Sequence, residues 1–342
     1  MLNKENLLAL GRATTKALMS ANRKYSYNDA ECTYENLNKT LTMELNEIAG
    51  TYSLFRENKN TLFALIEQTI DDVLPVRVLE AYGQFAETKV FKQGDKPIFI
   101  QKVTVASKRR AKQFITKVGL AGIYEVFKLD GQRYEVPTSA FGGAAQIGLE
   151  EMLDGMADWG TLVDIVLEGL DEAIYKEIAK ALIGAVSSLE EGTNKITENG
   201  FVEAQMDKLL AIADSYGSKA EIYCTFEFAA TMVPSAGWIS DEMRNQKWNN
   251  GYLANYKNHR VIVLPQSFED ETNKTKVIDP KYAWIIPSGG SDKPVKIAIE
   301  GQTIVDEYKN PDRSREIQVY KKIGVGARMT PDICVYINSQ LS

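Results

Sequence analysis

The sequence predicts an α+β protein, and three observations predict it. Apolar residues recur at steps of three and four along an unusually long run near the middle of the chain. A period near two replaces that spacing between Glu87 and about Ala140, the mark of half-buried strands. Beyond residue 200, short helical and strand-like patterns alternate.

At 342 residues the chain exceeds a typical single domain, so one large or two intertwined domains are expected. Apolar residues at 44% and charged residues at 25% are those of a well-cored globular protein, which excludes disorder of the whole chain. Acidic residues outnumber basic ones 46 to 40, a net charge of −6. The chain therefore lacks the overall positive field that non-specific DNA or anionic-membrane binding needs. Cys32, Cys224 and Cys334 have no metal-ligand spacing, and the last two lie in apolar, strand-like runs. They read as small buried hydrophobes in a reducing cytoplasm. Leu7 to Leu10 is too short for a secretion leader and is soon followed by Arg12. No apolar run approaches the roughly 18 residues of a membrane span.

The first 58 residues are polar and helical in pieces. Leu7, Leu10, Ala13 and Ala17 mark a weak first helix; Leu37, Leu41, Leu45 and Ile48 mark a second over Tyr34 to Ile48. Their narrow stripe and charged flanks suit an arm lying across another surface. A third helix over 59–73 carries Leu62, Leu65, Ile66, Ile70 and Val73 on one face, and Pro75 is expected to end or kink it. Strands follow at Pro97 to Ile100, Val103 to Val105, Ile123 to Phe127 and Arg133 to Val136, with Asp130-Gly131 as a hairpin turn between the last two.

Between Lys96 and Tyr124 there is no acidic residue, against seven basic ones: Lys96, Lys102, Lys108, Arg109, Arg110, Lys112 and Lys117. In a chain of net negative charge, so one-sided a block points to docking on an acidic surface; a solvated loop is the plainer alternative. A short helix at Leu149 to Met156 precedes a continuous one from Trp159 to about Val186, with Asp158 as its cap. About 28 helical residues span roughly 42 Å, so this element is a backbone on which other parts are mounted. A helix at 201–215 and strands at 220–226, 261–264, 283–286 and 295–299 come next. The chain closes with strands from Glu316 to Val325 and from Ile333 to Ile337, which are expected to pair with strands formed before the long helix.

Catalytic constellations are missing from the pattern. The lone histidine, His259, excludes a multi-histidine metal site and reads as a turn residue without a nucleophile nearby. Gly324-Val325-Gly326 lacks the third glycine and the helix of a dinucleotide site. Ser288-Gly289-Gly290-Ser291 lacks a phosphate-loop lysine. Glu269-Asp270-Glu271 lacks the alternation of a calcium loop and reads as a solvated turn. Carboxylates adjacent on a helix, as at Asp71-Asp72 and Glu150-Glu151, point apart and form no acid/base pair. No enzyme and no cofactor are expected.

The segment Phe141-Gly142-Gly143-Ala144-Ala145-Gln146-Ile147-Gly148-Leu149-Glu150-Glu151-Met152-Leu153-Asp154-Gly155, followed by Asp158-Trp159, resembles the start of the spine helix in tailed-bacteriophage major capsid proteins with the Hong Kong 97-type fold. The element order around it is similar too, including the closing Lys322 to Ile337. The resemblance implies an N-terminal arm (1–58), a helix leading into a peripheral domain (59–85), and an extended loop with peripheral strands (86–140). It further implies a spine helix (141–190), an axial domain (191–305) and closing peripheral strands (306–342). By that resemblance the chain self-assembles into hexamers and pentamers of an icosahedral shell around phage double-stranded DNA, in the host bacterial cytoplasm. A scaffolding protein, a portal and decoration proteins are the implied partners, with packaged DNA touched non-specifically at most and no membrane involved.

A loop of about 17 residues per arm reaches roughly 55 Å and needs a neighbouring surface, since a lone hairpin is barely stable. In the family that surface is the adjacent subunit. The expected inter-subunit contacts are Lys102, Lys108, Arg109, Arg110, Lys112 and Lys117, facing Glu150, Glu151, Asp154, Asp158, Asp164, Glu168, Asp171 and Glu172 around the spine helix. Some family members cross-link through a lysine and an asparagine; Lys108 or Lys112 and Asn338 are the candidates here, without a supporting motif. An encapsulin-type nanocompartment shell is the runner-up on the same fold. A soluble α/β enzyme or a nucleic-acid-binding protein resting on the Lys96–Lys117 block is the alternative from another class.

Overall fold

The computed structural model describes residues 4–20, 24–27, 30–49, 51–100, 133–145, 159–216, 219–233, 240–270, 272–288, 293–309 and 315–341. The architecture is α+β in two compact units. The first comprises 1–97, 136–175 and 297–325; the second comprises 98–135, 176–296 and 326–342.

In the first unit, helices α1 (Lys4–Met19), α2 (Tyr34–Ala49) and α3 (Tyr52–Tyr82) pack on one another. The expected stripes are their contact faces: Leu7, Leu10, Ala13 and Ala17 on α1, Leu37, Leu41 and Leu45 on α2, and Leu62, Leu65, Ile66 and Ile70 on α3 are all buried. Gly11 lets α1 approach α3, since a Cβ there would stand 3.3 Å from Leu65. The start of the chain thus lies across α3 as part of a packed helical layer. Burying one leucine contributes about 2 kcal/mol, so the three stripes are the main apolar contribution to this layer. Between α1 and α2 a hairpin forms from β1 (Lys24–Tyr27) and β2 (Ala30–Thr33).

Helix α3 also departs from expectation. It starts at an N-cap, Thr51, whose hydroxyl accepts from Leu54 N, and it runs through Pro75 to Tyr82. The expected arm boundary at 58 therefore falls inside it. Proline removes the hydrogen bond to the carbonyl four residues back and its ring crowds that carbonyl; here the flanking Leu74 and Val78 are fully buried, and that packing carries the helix through.

A four-stranded sheet completes this unit in the order β3 (Ala86–Phe91), β12 (Val295–Lys309), β13 (Arg315–Ala327), β6 (Ser139–Ala145). β13 pairs antiparallel with β6, Tyr320 opposite Gly142, so one closing strand does pair with a strand formed before the long helix. Asp71 of α3 ties helix to sheet. Its carboxylate accepts from Thr303 N (2.9 Å), Thr303 Oγ1 (2.5 Å) and Lys321 Nζ (2.6 Å), and Lys321 is 2% exposed. The long helix, α4 (Trp159–Val186), matches its expected bounds. Within the first unit, Tyr175 of α4 stacks on Tyr82, whose hydroxyl donates to Asp171 Oδ1 at 3.0 Å.

In the second unit a six-stranded sheet runs β7 (Lys195–Glu198), β14 (Cys334–Asn338), β11 (Tyr282–Pro287), β8 (Ala220–Cys224), β10 (His259–Val263), β9 (Asn255–Tyr256). Alternation sorts its faces: Ala220, Ile222, Cys224, Ala283, Ile285, Cys334 and Tyr336 share one core. Over it lie α5 (Glu203–Asp214), through Met206, Leu209, Leu210 and Ala213, and α6 (Phe226–Thr231), through Phe228 and Ala229. β14 was expected among the peripheral strands; it instead sits between β7 and β11 of this sheet. His259 is also corrected: it opens β10 and is buried, with Nδ1 3.0 Å from the Ala220 carbonyl oxygen.

Candidate assembly surfaces

Nothing among the described residues forms a chemical centre. No group of three or more His, Cys, Asp or Glu there can hold a metal, and no described helix is long and apolar enough to cross a membrane. His259 Nε2 faces only Asp214, at 3.5 Å. Burial pushes the Cys224 and Cys334 thiols up to about 12, which keeps them protonated and unreactive at neutral pH. Gly324 is a packing glycine, because a Cβ there would stand 2.4 Å from the Pro137 carbonyl oxygen. The features left to carry function are surfaces.

Of the expected basic contact residues, Lys102, Lys108, Arg109, Arg110, Lys112 and Lys117 all lie outside the described residues. What is described is the base they depart from. β4 (Ile98–Ile100) pairs antiparallel with β5 (Arg133–Glu135), Ile98 opposite Glu135 and Ile100 opposite Arg133. Phe99 anchors that base in the core at 1% exposure, while Ile100 stands 60% exposed at its end.

Of the expected acidic partners, Glu150, Glu151, Asp154 and Asp158 lie outside the described residues; Asp164 falls in α4, with its side chain outside them. Glu168 and Glu172 are exposed on α4, whereas Asp171 is taken up by the Tyr82 hydroxyl and by Arg77, 3.6 Å away. Glu168 and Glu80 border a groove of about 670 Å³ in the first unit, floored by Val73 and Val76 and flanked by Tyr25 and Lys16. Arg77 also lines it, so the two acids stand beside two cations, Lys16 and Arg77. The asparagine offered for cross-linking does not suit that role. Asn338 is 1% exposed, and its Oδ1 accepts from Gly200 N and Gln340 N.

Sequence reasoning missed three exposed aromatics among the described residues of the second unit: Phe226, Trp248 and Phe268. Helix α7 (Asp241–Asn250) is capped by Ser240 and by Gly251 in the left-handed region, and it buries no residue. It carries Trp248, 89% exposed, beside a groove of about 390 Å³ lined by Val233, Met243 and Leu253 with Arg244 and Lys247. Phe268, 41% exposed, stands at the β-bridge to Lys276. The signal for Trp248 was there: apart from Met243, every other residue of its helix is polar, so the helix has no apolar face to bury.

A family model described as SPbeta prophage-derived putative capsid protein YonB matches residues 12–331. Curated proteins give no match. Among solved structures, the head of Helicobacter pylori bacteriophage KHP40 is 12% identical, with a TM-score of 0.49 over 76% of this chain and 91% of that one. A phage-related protein from Bordetella bronchiseptica is 13% identical, at 0.48 over 79% and 97%. An encapsulin complex from Synechococcus elongatus is 10% identical, at 0.42 over 72% and 84%.

Proposed function

The chain belongs to the family of the SPbeta prophage-derived putative capsid protein YonB and is a phage major capsid protein; from that premise we propose how it builds a shell. The subunit takes the Hong Kong 97-type arrangement and closes an icosahedral container of hexamers and pentamers around double-stranded DNA. It performs no chemical step and needs no cofactor. The single observation that carries this reading is the family match, which spans residues 12–331 and so both compact units.

Residues 101–132 reach a neighbouring subunit as a basic extension, placing Lys102, Lys108, Arg109, Arg110, Lys112 and Lys117 on its acidic face. The paired base β4–β5 supports this, because it sets both ends of the segment next to one another as a hairpin requires. The exposed Glu168 and Glu172 are candidate receivers, with Glu150, Glu151, Asp154, Asp158 and Asp164 assigned to the same face by sequence. Each exposed ion pair contributes at most about 1 kcal/mol, so repetition sets register more than strength. A scaffolding protein, portal and decoration proteins join the same container, and the host cytoplasm is where it forms.

The test is electron microscopy of the protein expressed alone and with its viral neighbours. Closed particles holding nuclease-resistant DNA in the co-expressed sample are expected; particles holding protein cargo instead point to a nanocompartment. Reversing Lys108, Arg109 and Arg110 to glutamate is expected to abolish particles while leaving circular dichroism unchanged. Normal particles from that variant would sink the basic docking contact, and a monomer under every condition would sink the shell.

A further inference from the structure

Two features of the second unit complement each other as unlike halves of one contact. The groove beside α7 is apolar at its base, through Val233, Met243 and Leu253, and cationic at its rim, through Arg244 and Lys247. Its volume of about 390 Å³ lies in the range that takes a bulky side chain. Trp248 forms one wall and is 89% exposed, on a helix that buries no residue of its own. Arg244 does reach Asp241 at 3.5 Å, but both side chains are largely exposed and the pair is weak. A tryptophan so placed is a strong anchor if another surface covers it.

The other half is the turn at residues 267–276. Phe268 projects there, 41% exposed, with Glu269 next to it. The turn is rigid. Glu269 N donates to Thr275 O (2.8 Å), Val277 N donates to Ser267 O (2.9 Å), and the Asp270 carboxylate accepts from Lys274 N and Thr275 N. Those donors and the Thr272 hydroxyl hold the Asp270 carboxyl below its usual range, so the tip stays anionic. Lys276 fixes the turn to Glu227 at 2.9 Å. An aromatic on a pre-ordered turn loses little entropy when it is covered.

We propose that the Phe268 tip of one copy seats in the groove beside Trp248 of the next, with Glu269 facing Arg244 and Lys247. The partner is a second copy of this chain, which rests on the capsid reading; a container wall supplies that copy at every position. The contact joins unlike faces, so it passes from subunit to subunit around a ring instead of ending in a pair.

Two measurements test it on the full chain. In the first, Trp248→Ala is expected to lower the yield of assembled particles by more than about tenfold, the effect of truncating an interface anchor. The urea midpoint is expected to stay unchanged, because α7 buries nothing. Glu269→Lys is expected to impair assembly and the further changes Arg244→Glu and Lys247→Glu to restore it. Particles from Trp248→Ala at wild-type yield would overturn the contact. In the second, chains carrying Trp248→Cys are mixed with chains carrying Phe268→Cys, both with Cys32→Ser, and oxidised. A disulfide-linked dimer absent from either chain alone is expected. Cross-links without wild-type particles keep the contact and remove the capsid reading; particles without cross-links do the reverse; neither result removes both.

Discussion

Single side chains carry distinct energetic roles here, and Asp71 illustrates the sharpest. It faces a lysine taken almost wholly out of water, so removing the carboxylate strands a buried charge, whereas removing the lysine leaves Asp71 with both Thr303 donors. Asp71→Ala is expected to cost about 3–5 kcal/mol in urea unfolding, and Lys321→Met clearly less. Equal costs would mean the ion pair is incidental. Glu300 predicts a pH dependence. The Thr138 hydroxyl, the Gly94 N–H donating at 3.1 Å and the nearby Lys322 ammonium hold its carboxyl below the ordinary value. A carboxyl depressed on folding stabilises the native state above the unfolded value near about 4.3, and that contribution fades as pH falls through the lower folded value. Glu300→Gln is therefore expected to flatten stability below about pH 4; an unchanged acid limb in pH-dependent melting would count against it. Asp71-Asp72 had been legible only as non-catalytic neighbours. Their partners, Thr303 and Lys321 for the first and Arg12 for the second, lie far along the chain, where local spacing carries no information.

Elements were legible in proportion to how locally they are determined. α4 could be bounded because its apolar steps run unbroken and nothing inside interrupts them. α3 could not, since Pro75 imitates an end and only tertiary packing reveals that the helix continues. β14 was recognised as a strand and given the wrong neighbours, because alternation specifies a face and not a partner. The assembly surfaces divide in the same way: charge blocks are visible in sequence, but the exposure of Trp248 and Phe268 is a property of what fails to cover them. α4 carries its own prediction. Gly169 and Gly184 lie within it, and a Cβ at either meets no atom within 4 Å. Gly169→Ala and Gly184→Ala are each expected to raise stability by about 0.5–1 kcal/mol, read as a higher melting temperature. A loss at either would show that the bare backbone is itself a contact.

For the whole molecule, the two contacts proposed above differ in their response to salt. The basic extension acts through exposed charges, screened as the Debye length shrinks from about 10 Å at 0.1 M to about 3 Å at 1 M. The aromatic contact acts mainly through buried apolar area, which sodium chloride hardly weakens. Particle yield is expected to fall across that range while ring-sized oligomers persist. Light scattering that shows intact particles at both salts would argue that the ionic contact is dispensable.

The two units alternate along the chain, and this bears on how the protein is made. The first waits for residues 297–325, and the second waits for 326–342, whose strand β14 lies between β7 and β11. On a ribosome, neither can close before those segments have emerged. A product stalled before β14 lacks an inner strand of that sheet and leaves its apolar core open. Interleaving thus ties the closure of each unit to segments far along the chain.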